Sequence, residues 1–211
     1  MAATGRDGQG CLMAACDVDE QPGVDLYWIP LGAGAHAVRW TGAVYESWRA
    51  CREHRPRHQI HHSALVVRTQ GHEIVVEQAP AARHGERRGV VVVGPVASPL
   101  MAFWPLPRYE IRCWPDGRID DLVEALEPVR VSTHDDTTRR VLDAVPRVPA
   151  STWGRDAQGA GEMWNSNSVI AWVLQTGGVD AARLSPPDGG AAPGWRSGWL
   201  RAATGSGHLP R

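Results

Sequence analysis

The chain contains no lysine; all 22 of its basic residues are arginine. That excludes Schiff-base chemistry on a lysine and a phosphate-binding loop built around one. Phenylalanine is almost missing too, one residue against three tyrosines and ten tryptophans, so aromatic burial falls to indoles at core and rim positions. The four cysteines, Cys11, Cys16, Cys51 and Cys113, have neither C-x-x-C pairing nor zinc-site spacing, which marks them as free thiols rather than a disulfide or metal framework. No apolar run approaches the length of a membrane span. The short run Cys11–Ala15 falls below the roughly 7–15 residues of a secretory signal core, so the expected location is cytoplasmic. Excess charge of either sign is also lacking: the formal net charge of -1 gives no pull toward nucleic acid, and the arginines at 49, 52, 55 and 57 lack interleaved aromatics.

What remains describes a single α+β domain. A length of 211 residues, 43% of them hydrophobic, is enough to bury one core. Residues 1–23 are Gly-rich and aperiodic and are expected to form a tail; the domain occupies 24–203, and 204–211 form a second tail. Strands are expected at Asp25–Pro30, His61–Val67, Glu73–Gln78, Val90–Val93 and Arg108–Trp114, with Gly71-His72 closing a hairpin between the second and third. Helices are expected at Val38–Arg52 and Ile119–Leu126, and over a stretch capped by Asp135 or Asp136 that carries Val141, Leu142 and Val145. The turn L-G-A-G-A-H at 31–36 lacks the third glycine of a dinucleotide fingerprint, and no cofactor is expected. His54, His58, His61 and His62 invite a metal reading, but Pro56 breaks their register and no metal is expected.

The most informative stretch is Glu162–Gly178, E-M-W-N-S-N-S-V-I-A-W-V-L-Q-T-G-G. Ser166, Val169, Ile170 and Val173 fall on one helical stripe, which predicts that Ser166 faces the sheet. Asn165 and Ser166 are both N-cap types, and Gly177-Gly178 is a helix terminator. A hydroxyl there sits at the positive end of the helix, where an anion or a developing oxyanion is stabilised. On the strand beginning H-H-S-A-L-V-V, His62, Ala64 and Val66 share one face and His61, Ser63, Leu65 and Val67 the other; Glu77 lies on the next strand. Ser166 as nucleophile, His62 as base and Glu77 as orienting group would make an acyl-transfer site, or the same residues are an N-cap and a satisfied strand histidine. The Gly-rich loop T-W-G-R-D-A-Q-G-A-G feeds this helix and adds Arg155 and Asp156 as substrate-binding candidates beside Trp164, Asn165 and Asn167.

These two blocks, His62–Pro80 and Met163–Leu174, resemble the circularly permuted papain-like hydrolases related to NlpC-type peptidases and lecithin:retinol acyltransferase-like enzymes. In that order a His-bearing strand comes first and an N-C-N type helix start follows; here the second reads W-N-S-N-S-V-I-A-W-V-L. The resemblance implies an antiparallel sheet of about five strands on a central helix, His62 as base and Ser166 at the nucleophile position, with Glu77 or His72 as the orienting residue. It further implies amide or ester hydrolysis, or acyl transfer, on a small-molecule or peptide substrate. Ser replaces the family's Cys, and a hydroxyl is far harder to ionise than a thiol. The alternative is therefore a catalytically inactive binding module that keeps the helix N-terminus as an anion or peptide site. The whole chain also resembles bacterial proteins without an assigned activity, which adds nothing to the chemistry.

Overall fold

Alternating apolar residues in the first half of the chain and helix-periodic ones in the second build a sheet covered by helices. A computed structural model describes residues 21–30, 54, 58–81, 88–96, 108–115, 117, 125–156 and 158–205. The expected turn at 31–36, the helix at 38–52, most of the one at 119–126, three of the four cysteines and most of both tails lie outside them. The strands are β1 (Gly23–Pro30), β2 (His61–Thr69), β3 (His72–Pro80), β4 (Val90–Pro95), β5 (Arg108–Pro115) and β6 (Val129–Ser132). The helices are α1 (Asp135–Ala144), α2 (Ser166–Thr176) and α3 (Trp195–Gly205). The architecture is α+β with a six-stranded antiparallel sheet in the order β4-β5-β3-β2-β1-β6.

The expected hairpin closes between β2 and β3, where Thr69 pairs with His72. The sixth strand was not expected. Four residues bounded by Pro128 and a polar turn carry too little periodicity to be seen, and β6 exists because β1 offers it a ladder, Leu26 pairing with Val129. Helix α3 was also unforeseen, because Gly198 stands in its middle. A Cβ there would lie 2.1 Å from the Ser168 carbonyl oxygen, so glycine is what lets α3 press its backbone onto α2. His134 occupies the N-cap position of α1 without a side-chain hydrogen bond to the helix, and the expected caps Asp135 and Asp136 fall in its first turn.

One sheet face carries the main core. Val24, Leu26 and Trp28 of β1, Leu65 and Val67 of β2, Val76 of β3 and Ile111 of β5 meet Val169, Ile170, Val173 and Leu174 of α2. Each of these side chains contributes roughly 1.5–3 kcal/mol on burial. Trp28 and Trp195 pack with ring centroids 4.8 Å apart, tying β1 to α3. The opposite face gathers Tyr27, Ile29, Ala64, Val66 and Val75, so β1 and β2 are buried on both sides. Asp25 is buried on that face and accepts hydrogen bonds from the Arg68 and Arg130 guanidinium groups of the flanking strands. Among the described residues no helix is long and apolar enough to cross a membrane.

Candidate functional site

Helix α2 begins where its sequence says it should. Asn165 is the N-cap: its Oδ1 accepts from the Ser168 amide, and the Ser168 hydroxyl accepts from the Asn165 amide, a reciprocal capping box. Ser166 is then the first helical residue, and the C-terminal end falls at Gly177, followed by Gly178 with φ of +93°.

The inward positions of the first turn belong to Asn167 and Ser168, which are buried, while Ser166 is only half-buried. The stripe holds for Val169, Ile170 and Val173 and fails at its first member. Of its neighbours, Asn167 meets β2 and Ser168 meets the backbone of α3. The Asn167 Oδ1 accepts from the Ser63 hydroxyl at 2.9 Å, and its Nδ2 donates to the carbonyls of His61 and Pro193, both at 3.0 Å. The Ser168 hydroxyl donates to the Gly194 carbonyl at 2.7 Å, and Asn165 Nδ2 to the Pro193 carbonyl at 2.8 Å. Both carboxamides expected to hold substrate or an oxyanion are thus engaged in joining α2 to β2 and to the loop before α3.

The Ser63–Asn167 bond also fixes which face of β2 meets α2. Ser63, Leu65 and Val67 point toward the helices, and by strand alternation so does His61. His62 shares the opposite face with Ala64 and Val66. The expected meeting of His62 with Ser166 therefore does not occur. Glu77, next to Val76 of the main core, also points to the face away from α2, 3.9 Å from the Arg112 guanidinium, and does not join Ser166. His72 pairs with Thr69 at the hairpin end and is exposed. His61 and His62 turn to opposite faces, so these two side chains do not converge.

The remaining candidates have structural employment. Trp164 is fully buried within the main core, where no substrate reaches it. Asp156 is exposed and accepts from the amides of Gln158, Ala160 and Gly161, so its carboxylate folds the loop that contains it. Arg155 is exposed, and its backbone pairs with Thr152 and Trp164. Glu162, absent from the expected set, accepts from the Gly194 and Arg196 amides and so caps the start of α3 with a carboxylate.

The histidine on the α2 side of the sheet is His61, one position before the expected one. Its side chain is 1% exposed, neither ring nitrogen makes a well-formed hydrogen bond, and burial lowers its pKa against weaker opposing pulls from the Gln59 backbone and Asp188. A Cβ on Gly190 would lie 2.6 Å from its Cε1, so the ring is pressed against the segment preceding α3. A signal for the correct face existed: the bulkier residues Leu65 and Val67 lie in phase with His61, and the face with more branched volume is the one a helix covers. Cys113, the described cysteine, is half-buried, with its thiol pKa raised by burial. The open concavity of about 280 Å³ lined by Arg130, Val131, Ser132, Thr133 and His134 involves none of these residues. No protein-family model, curated protein or solved structure matches this chain.

Proposed function

We propose that the chain is a permuted papain-like scaffold with a hydrolytic or acyl-transfer site at the start of α2, in which His61 rather than His62 serves Ser166. The observation that carries the reading is the His61 imidazole, buried on the α2 side of the sheet with neither ring nitrogen in a well-formed hydrogen bond. Burial holds it neutral, the form a general base needs. The His61 carbonyl accepts from Asn167, the residue after Ser166, which brings strand and helix start to one corner. In the step this implies, the Ser166 Oγ attacks the acyl carbon of an amide or ester while its proton passes to a His61 ring nitrogen. That proton then goes to the departing amine or alcohol. Water, deprotonated in turn by His61, or a second acceptor releases the acyl group. The backbone amides of Ser166 and Asn167, at the free end of α2, are the oxyanion donors in this reading, since the Asn165 and Asn167 carboxamides are already bonded. The orienting role assigned to Glu77 is dropped, and no cofactor is required.

A second reading, a non-catalytic module that docks a carboxylate or peptide at the same helix start, is favoured by the seal over His61. An imidazole pressed on Gly190 is closed to substrate while that segment stays in place. A fluorophosphonate probe at neutral pH separates the two. The enzyme reading expects labelling of the wild type and of His62→Gln, and none of Ser166→Ala or His61→Gln. An unlabelled wild type refutes it in favour of the binding module. Ser166→Cys sharpens the comparison, because a thiol served by His61 and the helix end alkylates fast well below its ordinary pKa of about 8.5.

A further inference from the structure

We propose that the segment 186–194 is an acid-released cover over the start of α2, with the His61 side chain as its latch. The segment is fastened along its length. The His61 amide donates to the Ala191 carbonyl at 2.9 Å, and the Ala191 amide donates to the Gln59 carbonyl at 2.8 Å, a short parallel bridge beside Ile60. The Pro193 carbonyl takes the Asn165 and Asn167 carboxamides, and the Gly194 amide binds Glu162. Beneath these contacts lies the imidazole, 1% exposed, with Gly190 so close that a Cβ there would be 2.6 Å from Cε1 and 2.8 Å from Nδ1. Glycine is required by that approach, and the approach leaves no space for water between ring and backbone.

A neutral imidazole tolerates this enclosure at the cost of one unmatched N–H. An imidazolium brings a charge and two donors to a corner where neither ring nitrogen makes a well-formed hydrogen bond and the nearby Gln59 carbonyl already accepts from the Ala191 amide. Among the described residues, the charged groups around it do not offset that cost. Asp188, on the cover itself, is exposed and pulls weakly toward protonation; Glu162 is committed to the Gly194 and Arg196 amides. Arg196 is exposed at the head of α3, α2 presents the neutral Asn167, and His62 points to the other side of the sheet. Protonation therefore proceeds by lifting the cover and admitting water, whether or not Ser166 reacts. The sign follows from the lowered pKa in the closed form. Closure is complete above the ordinary imidazole value of about 6.5 and is lost as pH falls below it toward the closed-state value.

Hydrogen exchange of the Ala191 amide on the full chain reads the cover directly. Corrected for intrinsic rates, its protection should fall by up to about tenfold per pH unit below about 6.5, as one proton is taken up on opening. Core amides such as that of Val67 should hold their protection over the same range. In His61→Gln the pH-dependent loss should vanish; a loss that persists with the same midpoint overturns the proposal. Should that variant fail to fold, Asp188→Asn serves instead. Removing the carboxylate should move the midpoint to lower pH, and an unmoved midpoint overturns the proposal equally.

Discussion

Replacing Asn167 by Ala tests the geometry at the head of α2 more sharply than any change to Ser166. The Asn167 side chain makes three hydrogen bonds of 2.9–3.0 Å within a buried environment. Truncation leaves the Ser63 hydroxyl and the His61 carbonyl without that partner, while the Pro193 carbonyl keeps its bond from Asn165. Two buried polar groups orphaned at roughly 1–3 kcal/mol each give a destabilisation of about 4 kcal/mol. At about 2–4 °C per kcal/mol for a domain of this size, the melting temperature should fall by roughly 8–16 °C. Urea unfolding followed by tryptophan fluorescence supplies the free energy. Asn167→Asp should be at least as harmful at neutral pH, because it turns an acceptor toward two carbonyl oxygens and buries a charge. Ser166→Ala, at a half-buried position with no side-chain bond to another described residue, should stay within about 0.5 kcal/mol. Ser63→Ala combined with Asn167→Ala should fall short of additivity by about 1 kcal/mol. An Asn167→Ala cost below about 1 kcal/mol, or one equal to that of Ser166→Ala, would show that these two residues have been assigned to the wrong sides of the helix.

Two further substitutions probe what surrounds this corner. Gly198→Ala places a methyl group 2.1 Å from the Ser168 carbonyl, forcing α3 off α2, and should cost about 3 kcal/mol in the same urea assay despite the better helix propensity of alanine. Asp25→Ala removes the carboxylate shared by Arg68 and Arg130 and leaves Arg68, which is 13% exposed, with Glu73 as its remaining ion-pair partner; a loss of about 2 kcal/mol is expected. It should be largely relieved by adding Arg68→Met, and absence of relief would mean that the carboxylate acts by packing alone.

The period of the apolar residues, with cap and turn residues, was enough to read the α+β class, five of the six strands, the hairpin at Gly71 and both ends of α2. Those features are local. Alternation, caps and turn residues act over a few positions and do not depend on what lies across the fold. Which face of a strand meets a helix is a different kind of fact. The alternation along β2 places His61 and His62 on opposite sides, and the bond from Ser63 to Asn167, 104 residues away, fixes which of the two sides meets α2. The same holds for Gly198, a helix breaker by propensity and a helix contact by packing, and for β6, four residues that become a strand because β1 has an edge to offer. Sequence thus determined which residues form elements and which side chains share a face. Tertiary structure decided which face is inward, because that depends on the surface pressed against it, and a one-residue step along a strand reverses every assignment made from it.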